Sequence, residues 1–172
     1  IGMLANVQQI QLISEHISHY KAKWPVPPVI VYDPVAIASS GDVLTEEDTV
    51  SAIKECLLPL VDVITPNTHE TQLLTIQNNE EYWLGNKKIQ TPHNHGTGCS
   101  MASVIAACLA KDYPLKDAFI LAKAYINQGL KQSVRYGEGI GPVAQTSFPT
   151  HLDDYPQVIE PGSWLGDELD FD

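Results

Sequence analysis

Apolar residues recur at helical spacing through ANVQQIQLISEHISHYKAKW, where Val7, Ile10, Ile13 or Ile17, and Tyr20 share one stripe. Asn6 stands where an N-cap is needed. The prolines of PVPPVIVYDP end that helix, and residues 29–32 form a continuous apolar run of the kind found in buried parallel strands. A second helix is predicted over LTEEDTVSAIKECLLPLV, with Thr45 as N-cap, Glu46, Glu47 and Asp48 at the positive end of its dipole, and Pro59 closing it. VDVITPN then repeats the earlier arrangement, a short β-branched run followed by Pro66 and Asn67.

The pattern weakens between Leu74 and Gln90. TIQNNEE fits neither period, and YWLGNKKI reads as a small hairpin turning at Gly85 and Asn86. A helix follows from about Gly98 to Ala110. Another spans PLKDAFILAKAYINQGLKQS, residues 114–133, with Ala118, Leu121, Ala122, Tyr125 and Ile126 on its apolar face. Beyond Gly137 the periodicity dissolves, and residues 149–172 read as a proline-broken acidic tail or linker. Helix, strand, helix, strand, with polar residues where each strand stops, predicts an α/β fold with a parallel sheet. Ligands bind beyond the carboxyl ends of such strands, so Asp33 and residues 65–70 mark the expected site.

Composition narrows the partners. A hydrophobic fraction of 44% with 18% charged residues is that of a globular domain, and no apolar run is long enough to span a bilayer. The N-terminus lacks the basic and apolar regions of a signal peptide, and it also lacks an initiator methionine. The net charge of −11 is unevenly placed: seven acids and no Lys or Arg follow His151, leaving a mildly acidic body. Nucleic acid is therefore an unsuitable partner. Three cysteines without a CxxC pair suit a reducing compartment, so the cytoplasm is the expected location. Cys56 and Cys108 lie within apolar helical patterns; Cys99 has polar, glycine-rich surroundings.

Cys99 stands in HNHGTGCSMASVIAAC, residues 93–108. Glycines let consecutive main-chain N–H groups converge on one point, and a helix starting there adds unsatisfied donors and about half a positive charge. Gly96, Thr97 and Gly98 can thus form an anion hole suited to phosphate. A thiol at that point gains thiolate character and can take a proton from a substrate hydroxyl during phosphoryl transfer. Two other readings use the same residues. One is a glycine-rich turn with a half-buried cysteine. The other is a zinc site drawing on His93, His95 and Cys99, which lacks an obvious fourth ligand and leaves the glycines without a role.

The segments DPVAIASSGDVLTEEDTVSAIKECLLPLVDVITPNTHETQLLT and HNHGTGCSMASVIAACLAK resemble the hydroxymethylpyrimidine (phosphate) kinases of thiamine biosynthesis, in the ribokinase-like superfamily. The resemblance covers roughly residues 1–135 and rests on D-P-V-x-x-A-x-S-G-D, T-P-N-x-x-E and G-T-G-C-[ST]. Most sugar kinases of the superfamily have aspartate where Cys99 stands. The resemblance implies a three-layer α/β/α kinase domain over residues 1–148 that uses ATP and magnesium. Its substrate would be a hydroxymethylpyrimidine or the corresponding monophosphate, with pyridoxine or pyridoxal as the alternative.

Carried over residue by residue, Cys99 would be the proton acceptor, and Gly96, Thr97 and Gly98 the anion hole. Asn67 and Glu70 would organise magnesium and phosphates through water, with no direct protein ligand to the metal. Asp33 would face the phosphates, Met3 and Val35 would lie beside the pyrimidine, and helix 114–133 would flank the adenine. Each has a plainer alternative: Asp33 as a turn cap, Asn67 and Glu70 as helix caps, Met3 and Val35 as core. The family's glycine-rich A-G-S-D-x-S-G-G-A-G segment has no counterpart here. Glu70 and Gly96 are only 26 positions apart, too close for the helix, two strands and lysine-glycine-glycine stretch that the family places there. The expectation is therefore an incomplete domain, with an internal segment missing near residues 75–79 and a chain inactive alone if these parts are truly absent. In that case it would be a remnant that only binds nucleotide or a partner. Residues 149–172 resemble the connector to a fused thiamine-phosphate synthase, and a homo-oligomer is expected.

Overall fold

In a computed structural model, residues 1–35, 47–67, 70 and 83–159 are described. They fall into two units, Ile1–Gln77 and Asn78–Asp172.

In the first unit, α1 (Val7–Lys23) begins as the sequence predicts, with Asn6 Oδ1 accepting from the Gln9 amide at 2.9 Å. Its buried stripe is Ile10, Ser14 and Ile17. Tyr20 is exposed, one turn beyond the core, where its ring packs against Trp24 at 5.5 Å. The strands β1 (Val31–Tyr32) and β2 (Val63–Ile64) are parallel, with Val31 opposite Val63 and Tyr32 opposite Ile64. Between them, α2 (Glu47–Ala52) widens into a π-turn at Ile53–Leu57 and tightens into a 3₁₀ turn at Leu58–Leu60. Pro59 has no amide to continue an α-helix, and the ladder changes register just ahead of it. Thr45, the expected cap, lies outside the described residues.

α1 packs on this second helical stretch around Leu4, Ile10, Ile17, Tyr32, Ala52, Ile53 and Leu57. Complete burial of an aliphatic side chain such as Ile10 or Leu57 contributes about 1.5–3 kcal/mol. The Asp62 carboxylate pins the start of β1, accepting from the Ile30 amide at 2.7 Å and from Lys21 Nζ at 2.9 Å.

Tyr32 is the polar exception in this core. Its phenol is fully buried and has no hydrogen-bond partner among the described residues. Burial, then the Glu70 carboxylate, then the Asp33 carboxylate, push its pKa up from 10.0 to about 12. A raised folded pKa means that stability present below about pH 10 is lost as the pH climbs from 10 through 12. Tyr32→Phe removes an orphaned hydroxyl and a titrating group together. It is expected to stabilise the protein by about 1 kcal/mol at neutral pH and to move alkaline unfolding to higher pH, both readable by circular dichroism.

In the second unit, α3 (Thr97–Leu109) and α4 (Leu115–Lys131) form an antiparallel pair. The turn between them is closed by the Tyr113 amide on the Cys108 carbonyl, with Asp112 at φ 60 in the left-handed conformation. Ile105, Cys108, Ala118, Ala122, Ala124, Ile126 and Val143 are buried apolar residues of this unit. Burial pushes the Cys108 thiol pKa up, opposed by the smaller pull of Lys111, as befits a core cysteine.

Two expectations change here. YWLGNKKI is not a hairpin: β3 (Trp83–Gly85) pairs antiparallel with β4 (Gln157–Ile159). The segment read as tail is docked through residue 159. Asp154 is buried and ion-paired with Lys131 at 2.6 Å, its carbonyl accepts from Asn127 Nδ2, and the Tyr155 carbonyl accepts from Asn86 Nδ2. This docking satisfies the buried Asn127 near the end of α4, while the neighbouring Gln128 Nε2 donates to Thr146 Oγ1 and the Ser147 carbonyl. A tail or linker reading applies at most to residues 160–172, which lie outside the described residues.

Candidate functional site

The predicted residues of the first unit gather at the carboxyl ends of its two strands. Asp33 follows β1 directly, is buried, and accepts from Thr65 Oγ1 at 3.2 Å through Oδ1. Thr65 follows β2, and its amide donates to the Tyr32 carbonyl at 3.0 Å, carrying the parallel pairing one step past the strand. Asn67 and Glu70 form a reciprocal cap. The Asn67 amide donates to Glu70 Oε2 at 2.9 Å, and the Glu70 amide to Asn67 Oδ1 at 3.0 Å. Helix capping, the plainer reading of this motif, is therefore real. It also fixes the Glu70 carboxylate, which is buried and close enough to Tyr32 to act on the phenol together with Asp33. Two buried carboxylates at the strand ends are suited to a site that handles a cation.

Val35 takes φ 39, which β-branched residues rarely adopt. Such backbone strain costs about 1–3 kcal/mol and clusters at ligand-binding positions. Val35 is half-buried just after the Asp33-Pro34 pair. Met3 is about half exposed. The Ile1 ammonium donates to the Val31 carbonyl and the Asp33 amide to the Ile1 carbonyl, so the chain leading to Met3 runs beside β1. Neither residue is simple core.

In the second unit, Gly96 is the N-cap of α3 at φ 83, with no side-chain cap. Nothing lies within 4 Å of where a Cβ would stand, so the left-handed backbone itself, rather than crowding, calls for glycine. From there the Ser100 amide donates to the Gly96 carbonyl at 3.0 Å, closing the first turn. The Thr97 amide donates to the Asn94 carbonyl at 3.4 Å, which corrects its expected place in the anion hole; Gly98 and Cys99 supply the next N-terminal amides, and Cys99 is exposed. Behind the loop, the Val143 amide donates to the His95 carbonyl at 2.9 Å and the His95 amide to Gly141 at 3.3 Å. His93 Nδ1 accepts from the Gly141 amide at 3.0 Å. Among the described residues no group of three His, Cys, Asp or Glu is placed to hold a metal ion, so the zinc reading finds no support.

A cleft of about 400 Å³ opens beside Cys99, lined by Ser103, Val104, Ala107, Tyr125 and Gln145 among others. The spacing in the sequence places Tyr125 on an apolar face. Its hydroxyl donates instead to Gln145 Oε1 at 3.2 Å, and Gln145 Nε2 donates to Ser100 Oγ at 2.7 Å. Sequence reasoning missed Ser100 and Gln145. They are 45 positions apart, and Gln145 falls where all periodicity has been lost.

The family model for phosphomethylpyrimidine kinase matches residues 1–81 and 72–144. The chain belongs to the phosphomethylpyrimidine kinase family. Hydroxymethylpyrimidine/phosphomethylpyrimidine kinase from Staphylococcus aureus (strain N315) is 31% identical, over 86% of this chain and 67% of the relative. The Haemophilus influenzae protein of the same name is 29% identical, over 86% and 70%. Among solved structures, a pyridoxal kinase from Staphylococcus aureus in complex with ADP superposes with a TM-score of 0.74 at 23% identity, covering 91% of this chain and 70% of the other. A phosphomethylpyrimidine kinase from Clostridium difficile gives 0.56 at 25% identity, covering 74% and 66%. The fold is thus ribokinase-like α/β; the order of elements implies the α/β class, and the resemblance implies the ribokinase-like form.

Proposed function

We propose that this phosphomethylpyrimidine kinase family member transfers the γ-phosphoryl group of ATP to 4-amino-5-hydroxymethyl-2-methylpyrimidine, to its monophosphate, or to both. The observation that carries the reading is the start of α3, where a left-handed glycine opens a helix whose first turn presents main-chain amides and an exposed thiol together. Amides aimed at the transferring group stabilise charge as it develops, without reorganisation during the step. Cys99 accepts the proton of the attacking hydroxyl as its oxygen bonds to phosphorus. The bond to the bridging oxygen breaks, ADP leaves with that electron pair, and the thiol later returns its proton to water.

The residues of the first unit fit a magnesium ion held through water. Magnesium favours a few carboxylates plus water and phosphate oxygens over an all-protein cage. Asp33 and Glu70 would provide the charge, and Asn67 would fix Glu70 through their mutual cap. When bound, the ion would neutralise phosphate charge. Met3 and Val35 would flank the pyrimidine, with the strained Val35 backbone supporting that role.

The alignment with the Staphylococcus relative runs over 190 positions, more than the 172 residues of this chain, and the family match falls in two parts meeting at residues 72–81. Both support an internal segment, present in relatives and absent here, near residues 75–79. Cytoplasmic location, self-association and fusion to a thiamine-phosphate synthase belong to the same proposal.

The test supplies ATP and magnesium with either the pyrimidine alcohol or pyridoxal, and follows product by phosphorus NMR. Preference for the pyrimidine is the expected result. Preference for pyridoxal would replace the substrate, and ATP binding without transfer to either would mark a non-catalytic relative.

A further inference from the structure

We propose that Gln145 is a positioning residue for phosphoryl transfer, acting through Ser100 on the first turn of α3; this rests on the kinase reading above. That turn has no side-chain cap, because its N-cap is a glycine. Thr97 is half-buried, and Gly98 and Cys99 are exposed, so Ser100 is the first residue of α3 held in the protein interior. Its hydroxyl accepts from Gln145 Nε2 at 2.7 Å, a lateral anchor one residue from the thiol.

The exposed Gln145 side chain is held by one further hydrogen bond, and its backbone follows two anchored residues. Its Oε1 accepts from the Tyr125 hydroxyl at 3.2 Å, and that hydroxyl oxygen accepts from the Thr146 amide at 3.2 Å. The preceding backbone is tied to α4 by the Ala144 amide on the Gly129 carbonyl at 3.2 Å. It is tied to the segment entering the glycine loop by the Val143 amide on the His95 carbonyl. One amide side chain therefore registers the helix start against both α4 and the loop, in the wall of the cleft that Cys99 also lines. Neutral glutamine can donate to Ser100 while accepting from Tyr125, with no negative charge beside an anion site.

Catalytic geometry is sensitive to small displacements, of which about 1 Å can cost a hundredfold. Gln145→Ala is expected to lower kcat by about 10- to 100-fold with the KM for ATP changed by less than about threefold. Ser100→Ala should do the same, and the double variant should lose little more than either alone, since both changes remove one link. Tyr125→Phe should lose less. Thermal unfolding of each variant, and kcat measured well below its midpoint, separate positioning from loss of folded protein.

The rate of Cys99 alkylation by iodoacetamide, measured without nucleotide, gives a readout independent of turnover, and Gln145→Ala should change it several-fold. If the parent chain has no kinase activity but its alkylation responds to Gln145, the kinase reading falls and with it any role in phosphoryl transfer, while Gln145 still positions the first turn of α3. If the parent turns over and folded Gln145→Ala matches it in kcat and alkylation, the positioning role is wrong. Additive losses from Ser100→Ala and Gln145→Ala would also overturn it. Should Gln145→Ala not fold, the same readouts on Ser100→Ala and Tyr125→Phe decide.

Discussion

Cys99→Ala is expected to lower kcat for pyrimidine phosphorylation by about 10²- to 10⁴-fold, the range a positioned proton acceptor contributes. The KM for ATP should move little, because the alanine variant keeps Gly96 and the amides that follow it. The substitution removes an exposed side chain at the start of α3, so unfolding should be nearly unchanged. This separation of rate from stability gives the prediction its force. Cys99→Asp, which supplies an ionised acceptor at the same Cα, should recover part of the loss. Steady-state kinetics on the three proteins checks it, and equal kcat for alanine and cysteine would mean that the thiol takes no part in the chemistry.

The largest expected effect on stability is at Gly129. In a helix interior, glycine to alanine ordinarily stabilises by about 1 kcal/mol. Here an added Cβ would stand 2.6 Å from the Ala144 carbonyl oxygen and 2.8 Å from Val143 Cγ2. The first neighbour is backbone, and it cannot retreat without disturbing the Ala144–Gly129 and Val143–His95 hydrogen bonds. Val143 is buried as well. Overpacking of this kind costs about 1–3 kcal/mol or more, so Gly129→Ala should destabilise by about 2 kcal/mol in spite of its better helix propensity. Because residues 143–144 lead directly into Gln145, turnover of the folded variant should fall too. Urea unfolding provides the check; a midpoint at or above that of the parent would show that residues 143–144 yield easily.

What the letters made legible were features encoded locally. Asn6 caps α1, two short apolar runs became parallel strands, and the glycine before Thr97 opens α3, each read from adjacent residues. The candidate site residues at the strand ends followed from the same local grammar, and their common neighbourhood appears in the way Glu70 and Asp33 both act on Tyr32.

What stayed hidden depends on contacts between distant segments. Nothing near YWLGNKKI announces that its partner is Gln157–Ile159. Nothing in an acidic, proline-broken stretch announces that Asp154 will be buried against Lys131. Gln145 is the sharpest case: its role exists only because the bridge between His95 and Pro142 carries that stretch of chain past the helix start. Asn67 and Glu70 show a different limit. One spacing serves both as a helix cap and as a means of holding a carboxylate, and the structure contains the cap without removing the other use.

The central claim is that the first turn of α3 cradles the transferring phosphoryl group beside Cys99. Protection of that cysteine from iodoacetamide, quantified by mass spectrometry across a titration with magnesium and ATP, tests it most directly. Saturable protection by ATP, weaker protection by ADP and none by adenosine are expected, because the phosphates are what occupy the turn. Alkylation of Cys99 at an unchanged rate under saturating ATP, in a protein that still phosphorylates the pyrimidine, would contradict it.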